Sequence, residues 1–508
     1  MKKAESRSEW GALTSRDRKR LMRKRTLAVG LLVGLAALIL TSCGGNEVVT
    51  PTPIGNGALY TFIGDTPVSD VLSLRVYITG MTLKVQGGES TVTVIPSSYI
   101  KVNFASLRDF ATVLNLTAVP EGTYDQATIT FSIPQLALYD PTQTPPVTVL
   151  NAMFSTSGPT IAIRPALTIV KNQVHVLRLD FDFLRSIELD ADGQVTGKVT
   201  PIFKASPVLA TADQGFGELD DLVGFVRTVS PTSTSGDFIG SFNIQLFAGT
   251  GPSLAVILTS TSQLYGVPAL NQLETGRFVE VDAVVDDKGN LVAKTVEVEA
   301  RAVVEENKLA FLGYVTSVTK DESGKVTQFS FYVREEEPEY TYGVPLDSVV
   351  VVNVAENTTF QYSTRLTNFL NLPFDATAVA PGQELIVHGK YTKTTDQPTT
   401  VDANMIFLKL QTVQGALSSL VPPVGSDGRT GAFWFAPGAS LLQGSPVMVF
   451  TNNQTVFLNV FGLGDLRPQA TLLVRGLPFY QAQASTINGV PVPAGTLVIT
   501  ARQVHQLQ

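Results

Sequence analysis

The chain has 508 residues, of which 44% are hydrophobic and 16% are charged, and its formal net charge is −7. Phosphate backbones repel an acidic protein, so nucleic acid is excluded as the expected partner. The hydrophobic content, together with 41 glycines and 29 prolines, is typical of a globular, turn-rich chain and excludes a disordered one.

The N-terminal stretch has the order of a secretory signal. Arg23, Lys24 and Arg25 precede an uncharged apolar run from Leu27 to Ile39, and small residues follow before Cys43. This run is shorter than the ~20 residues that a membrane-spanning helix needs. The alternative is a membrane anchor helix with an incidental cysteine.

Residues Leu40, Thr41, Ser42 and Cys43 resemble the lipobox of bacterial lipoproteins, in which the cysteine is acylated and becomes the mature N-terminus. Each buried methylene of an acyl chain stabilises membrane attachment by about 0.8 kcal/mol. Cys43 is the only cysteine in the sequence, which excludes disulfides and thiolate metal sites elsewhere. We therefore expect an exported protein that is attached to the membrane through its N-terminal lipid. Gly44 after the cysteine favours the outer membrane or cell surface over the inner membrane.

The sequence divides into six parts. We expect a signal peptide with its lipobox at residues 1–43, a tether at 44–57, a β-sandwich at 58–210, and three barrel repeats at 218–304, 308–410 and 412–508. Removal of residues 1–42 takes away ten basic and three acidic residues, so the mature chain has a net charge of −14. The predicted fold class is all-β, with a signal helix at the N-terminus.

Alternating apolar and polar residues dominate residues 58–210, with turn residues every 8–12 positions, and this pattern predicts a sandwich. The run Val174–Phe183 alternates most clearly, because Leu177, Leu179 and Phe181 fall on one face of the predicted strand. One short helix is expected where Ser106–Asp109 resembles a capping box.

Four motifs in this region resemble the bacterial domain-of-unknown-function family 4382. They are Asp65-Thr66-Pro67, Val71-Leu72-Ser73-Leu74-Arg75-Val76, Pro120-Glu121-Gly122-Thr123-Tyr124 and Leu177-Arg178-Leu179-Asp180-Phe181-Asp182. The resemblance covers roughly residues 58–208. It implies a β-sandwich of exported proteins and no known chemistry.

A repeated strand pattern follows the sandwich. Leu222–Val226 recurs as Phe311–Val315 and, more weakly, as Val413–Leu417, at spacings of 89 and 102 residues. These spacings suit tandem small barrels and are too long for a solenoid. The predicted closing strands are Leu291–Val298, Thr400–Phe407 and Thr496–Val504. Five strands with a loop or short helix before the fourth are the order of an OB-like barrel, and the copies resemble the domain-of-unknown-function family 5666.

The sequence shows no catalytic constellation and calls for no cofactor. The three histidines, His175, His388 and His505, lie in three different modules. Asp190 and Asp192 begin an Asp-x-Asp-Gly calcium motif, but the bidentate glutamate of such a loop is missing, so a turn is the preferred interpretation. We favour the same turn interpretation over calcium for the run Asp286–Asn290.

Trp434 is the candidate ligand-stacking residue. In the run Phe433-Trp434-Phe435 a strand sends both phenylalanines to one face and Trp434 to the other. An outward tryptophan can stack on a sugar ring. The alternative, which we prefer, is that an insertion or a neighbouring domain covers it.

These observations favour a non-enzymatic envelope protein with a binding, adhesion or structural role. Its expected partners are the membrane, through the lipid, and an envelope polysaccharide or another surface protein. The alternative is a carbohydrate-active accessory protein or a hydrolase that uses surface carboxylates, and two buried acids at glycosidase spacing would favour it.

Overall fold

The computed structural model describes most of the chain beyond the tether. The described residues are 56–65, 71–97, 99–107, 111–191, 195–211, 215–235, 237–246, 251–298, 308–337, 348–362, 370, 372–392, 399–422, 424–438, 440–442 and 444–507. The predicted signal helix and most of the tether lie outside these ranges. Residues Thr50–Gln508 form one compact unit.

The first module is built from short alternating strands. They are β1 Gly57–Asp65, β2 Val71–Val85, β3 Thr91–Ile95, β4 Ile100–Asn103, β5 Ala111–Val119, β6 Gly122–Tyr139, β7 Val147–Asn151, β8 Met153–Phe154, β9 Thr160–Ile169, β10 Val174–Phe181, β11 Ile187–Leu189, β12 Val195–Val199 and β13 Phe203–Val208. A 3₁₀ turn, Phe104–Ser106, and a short helix α1, Phe183–Ser186, complete it.

These strands form two layers over one apolar core, as the sequence predicted. The first layer has the order β3-β2-β6-β9, and the second has the order β13-β10-β1-β5. The layers are joined where Ala205 pairs with Ile163. Alternation decides which side chains enter the core: Leu177, Leu179 and Phe181 of β10 point inward, as expected from their period of two.

The prediction of a helix that begins at Ser106–Asp109 and continues through the apolar residues after it is wrong. Asn103 caps a single 3₁₀ turn by accepting a hydrogen bond from the amide of Ala105. The apolar residues from Ala111 onward form strand β5 instead, because they pair with β1 along eight register positions. Tertiary pairing therefore overrides the local capping signal.

The second module, barrel 1, has the predicted OB-like strand order. Its strands are β14 Gly217–Ser235, β15 Phe238–Leu246, β16 Ser253–Thr259, β17 Gln263–Tyr265, β18 Phe278–Val285 and β19 Leu291–Val298, with a 3₁₀ turn at Leu270–Gln272 before β18. Pairing of β16 with β19 closes the sheet. The closing strand begins and ends where the sequence predicted.

Barrels 2 and 3 repeat this arrangement. Barrel 2 closes from β20 Lys308–Lys320, β21 Val326–Glu337, β22 Val349–Tyr362, β23 Glu384–Thr392 and β24 Thr400–Leu408. Barrel 3 has β25 Gln411–Val421, β26 Gly431–Pro437, β27 Val447–Thr451, β28 Val456–Leu458, β29 Thr471–Gln481 and β32 Thr496–Gln506, with a 3₁₀ turn at Leu463–Asp465. A hairpin of β30 Ser485–Ile487 and β31 Val490–Val492 is added to it.

Neighbouring modules share their apolar cores. The outer face of the second sandwich layer, through Tyr60, Phe62 and Val176, joins the core of barrel 1. Phe479 and Leu477 of barrel 3 belong to the core of barrel 2. The sandwich therefore packs against barrel 1, and barrel 2 against barrel 3, through buried apolar contacts.

Candidate functional site

Charged side chains are buried where barrel 1 meets barrel 3. The inward residues of β18 fill barrel 1, so Glu280 and Asp282 point outward, yet they are only 2% and 1% exposed. The guanidinium of Arg502, on β32, donates a hydrogen bond to Asp282 at 3.1 Å. Lys409, which follows barrel 2, forms an ion pair with Glu280. The Thr295 hydroxyl also donates to Asp282, at 2.8 Å.

Asp220 lies beside this contact and has a perturbed acidity. Its carboxylate is 3.7 Å from the same Arg502 nitrogen that contacts Asp282. Burial raises the pKa of Asp220 above its ordinary value, Arg502 and Arg475 partly oppose this, and Asp282 adds to it. A carboxyl group with a raised pKa beside a second carboxylate is a feature of acid catalysts.

A second buried ion pair lies on barrel 2. Arg334 donates to Glu384 at 2.8 Å and to the hydroxyl of Tyr314 at 3.1 Å. Burial alone would lower the pKa of Arg334, but Glu384, Tyr314 and Glu335 outweigh it, so the pKa is raised and the guanidinium stays charged. Gln411, the first residue of barrel 3, accepts a hydrogen bond from the amide of Glu384 at 2.7 Å.

Two of these three pairs join modules. Each of the buried carboxylates Glu280, Asp282 and Glu384 contacts a cation. A buried charge that loses its partner is strongly destabilising. The pairs of Glu280 with Lys409 and of Asp282 with Arg502 therefore help to fix how barrel 1 meets the later modules, whereas Arg334 and Glu384 pair within barrel 2. The burial of these charged residues was not predicted from the sequence, because a charged residue at an outward strand position is normally solvated. The available signal was their position within otherwise apolar strands such as β18.

Trp434 lies where strand parity placed it. Phe433 and Phe435 are in the core of barrel 3, whereas Trp434 packs half-buried against a separate cluster on the outer face. That cluster includes Ile487 and Val490 from the added hairpin. A ligand-stacking role for Trp434 stays a prediction.

The other predicted site residues are scattered. Asp190 is exposed, while Asp192 lies outside the described residues. Asp286 closes a turn by accepting hydrogen bonds from the amides of Lys288 and Asn290 at 2.9 and 2.7 Å. Within the described ranges, no group of three or more histidine, cysteine, aspartate or glutamate residues is placed to hold a metal ion.

The three histidines have different local roles. His175 accepts a hydrogen bond from the Val170 amide at 2.9 Å, and His505 lies 3.0 Å from the side-chain amide of Asn459. Burial lowers the pKa of His388, on β23, to about 4. His388 is therefore neutral at physiological pH.

Leu40, Thr41, Ser42 and Cys43 lie outside the described residues, so the lipobox stays a sequence prediction. In the part of the chain that the structure covers, no helix has the length and apolar character needed to cross a membrane.

The fold and these contacts define an all-β chain of one sandwich and three small barrels. Residues 56–198 match the family described as Domain of unknown function (DUF4382), and residues 240–297 match Domain of unknown function (DUF5666). The first match confirms the resemblance of the sandwich to family 4382, and the second confirms the resemblance of barrel 1 to family 5666. The same resemblance for barrels 2 and 3 stays a prediction. No curated protein matches the chain.

Two solved structures are similar to the chain at low identity. One is drosophila Unr CSD456, with 9% identity over 57% of this chain and 97% of that chain, at a TM-score of 0.14. The other is the single-stranded DNA binding protein from Thermus aquaticus, with 12% identity over 40% of this chain and 93% of that chain, at a TM-score of 0.14.

Proposed function

We propose that this chain is an exported, lipid-anchored cell-envelope protein with a binding, adhesion or structural role and no catalytic one. The observation that carries the proposal is the use of the buried charges. Glu280, Asp282 and Glu384 are each spent on a contact with a cation between or within barrels. Such pairs specify one arrangement of modules, which suits a rigid body that presents a surface.

The lipid anchor is the second part of the proposal, and it rests on Leu40, Thr41, Ser42 and Cys43. Two or three acyl chains make membrane attachment stable, whereas a single chain is marginal. The outer membrane or cell surface is the proposed location.

Fractionation of a bacterium that expresses the full chain tests this location. The wild type is expected in the membrane fraction, and Cys43→Ser is expected to accumulate as an uncleaved or mislocalised precursor. Thr52→Ala, which changes the tether and leaves the lipobox intact, is the matched control and stays in the membrane fraction. A wild-type chain that is found in the soluble fraction contradicts the proposal.

Asp220 favours a second candidate function, a hydrolase that uses carboxylates. Two observations support it: the pKa of Asp220 is raised, and Asp220 and Asp282 both contact the same nitrogen of Arg502. Against this candidate, Arg502 and Arg475 oppose the rise in the pKa of Asp220, whereas a glycosidase needs a carboxyl group that is held protonated as its acid. Turnover of chromogenic glycosides by the wild type that is lost in Asp220→Asn would establish the hydrolase. No turnover by either protein supports the binding role.

A further inference from the structure

Four threonines lie side by side across the first layer of the sandwich. Thr93 of β3 pairs with Thr82 of β2, Thr82 pairs with Thr128 of β6, and Thr128 pairs with Thr160 of β9. The hydroxyls of Thr128 and Thr160 are 3.2 Å apart. Because neighbouring strands are about 4.8 Å apart, this row presents hydroxyl and methyl groups at a regular spacing.

Further threonines lie on both sides of this row. On one side, Lys84 pairs with Thr91 and with Gln126. On the other side, the Thr79 hydroxyl donates to Thr130 at 3.0 Å. Successive outward residues of a strand are about 6.7 Å apart, so the rows form a two-dimensional array. We call this surface the threonine face, and its residues are Thr82, Thr91, Thr93, Thr128, Thr130 and Thr160.

An aromatic pair stands at one end of the threonine face. Tyr77 points outward from β2 on the same side as Thr82, since Val76, Ile78, Met81 and Leu83 point into the core. Tyr99 is 69% exposed and meets the Tyr77 ring edge-on, at 6.4 Å between centroids. An exposed tyrosine supplies a flat apolar ring with a hydroxyl at its tip, which suits a sugar ring.

The two outer faces of the sandwich differ in what covers them. The outer face of the second layer carries Tyr60, Phe62 and Val176, and barrel 1 covers it. On the first layer, the end that holds Leu72 packs against Tyr314 and Tyr332 of barrel 2 and Leu441 of barrel 3. Beyond that end Thr91, Thr93 and Thr160 are exposed. Threonine is common in strands, so its presence alone indicates nothing. The alignment of the threonines in rows beside an exposed tyrosine is the feature that indicates a binding surface.

The charge of the threonine face indicates the class of its ligand. Lys84 is paired with Glu89 at 3.1 Å, so this cation is compensated on the protein itself. At the aromatic end Lys101 is the cross-strand neighbour of Tyr77. The six threonines themselves offer only hydroxyl and methyl groups, which favours an uncharged, hydroxyl-rich ligand. An array that spans four strands fits an extended polymer better than a single small molecule.

We propose that the threonine face, with Tyr77 and Tyr99 at its end, binds a neutral polysaccharide. Threonine hydroxyls both donate to and accept from sugar hydroxyls, their methyl groups contact the apolar sides of the sugar rings, and Tyr99 stacks on one ring. This inference rests on the proposed function, because it names the ligand class for the binding role.

Co-sedimentation of the full mature chain in detergent with microcrystalline cellulose and with chitin, two neutral polysaccharides, tests the inference. The wild type is expected to bind at least one of the two polymers. Tyr99→Ala is expected to weaken that binding by about tenfold or more, as loss of one stacked ring does. The double variant Thr82→Val, Thr128→Val keeps the side-chain shape and removes two hydroxyls, so it is also expected to bind more weakly.

Phe461→Ala is the matched control, because Phe461 of barrel 3 is an aromatic residue that is 87% exposed and far along the chain from this face. It is expected to bind like the wild type. The inference is overturned if the wild type binds none of the polymers, or if Tyr99→Ala and the threonine variant both bind as the wild type does. A chain that is lipid-anchored but binds no polymer overturns this inference alone. A polymer-binding chain without lipid overturns the anchor alone.

Discussion

Trp434 is the residue for which packing and ligand stacking predict different behaviour. It lies half-buried beside Met448, Phe450 and the hairpin residues Ile487 and Val490, and large truncations in such clusters leave cavities. We expect Trp434→Ala to lower the free energy of unfolding by about 3 kcal/mol, the lower end for a buried tryptophan. Phe461→Ala is expected to change it by less than about 0.5 kcal/mol. Urea denaturation measures both.

The fluorescence of Trp434 provides an independent readout, because Trp10 is the only other tryptophan and is removed with the predicted signal peptide. Packing predicts a blue-shifted emission in the mature protein without ligand. A red-shifted emission that is readily quenched contradicts packing and supports the ligand-stacking role.

His388 makes stability depend on pH. Burial lowers its folded-state pKa to about 4 from an ordinary 6.5. Between these two pH values the imidazole is therefore protonated in the unfolded chain and neutral in the folded chain. The free energy of unfolding therefore keeps its full value above pH 6.5 and decreases by roughly 3 kcal/mol as the pH falls toward 4. We expect His388→Gln to remove this part of the acid sensitivity in denaturation curves measured between pH 4 and 8. An unchanged curve contradicts the burial of a neutral imidazole.

At the scale of elements, the turn between β18 and β19 is fitted against the sandwich. Gly289 has a φ of +83°, its carbonyl accepts a hydrogen bond from the hydroxyl of Tyr60 at 2.9 Å, and an added Cβ would collide with the side chain of Val174. Gly276 has the same φ, and an added Cβ there meets nothing within 4 Å.

These two glycines separate backbone strain from a collision between modules. Gly276→Ala is expected to destabilise by about 1 kcal/mol, the cost of a left-handed alanine. Gly289→Ala adds the collision with Val174, so we expect a clearly larger loss, about 1–3 kcal/mol more. Thermal unfolding of the two variants in parallel measures the difference. Equal losses would mean that barrel 1 does not press on the sandwich at this turn.

The element scale also shows how far sequence patterns reach. The closing strand Leu291–Val298 of barrel 1 follows from its alternation, and the split between Phe433 and Trp434 follows from strand parity. The period of two gives the face on which a residue lies but not what covers that face. Glu280 and Asp282 therefore resembled solvated residues in the sequence, although Lys409 and Arg502, more than 100 positions away, bury and pair them. The expected helix after Ser106 failed because a capping motif carries no information about the pairing of β5 with β1.

At the scale of the whole molecule, shared cores and ion pairs join the modules. The sequence predicted separable folding units, and this stays a prediction, but the shared core residues favour coupled unfolding.

Arg502→Met removes the cation that contacts buried Asp282, and we expect the free energy of unfolding to fall by about 3–5 kcal/mol. The double variant Arg502→Met, Asp282→Leu is expected to recover a large part of it, with a coupling of at least about 1 kcal/mol. Additive losses in calorimetry would show that the ion pair does not hold the barrels together.

We propose above all that this all-β body is held in the envelope by a lipid on Cys43. Intact mass spectrometry of the protein purified from bacterial membranes tests it most directly. We expect a chain that begins at Cys43 and carries the additional mass of a diacylglyceryl group, with or without a further acyl chain. A chain that retains residues 1–42, or one that begins at Cys43 without any lipid mass, would contradict it.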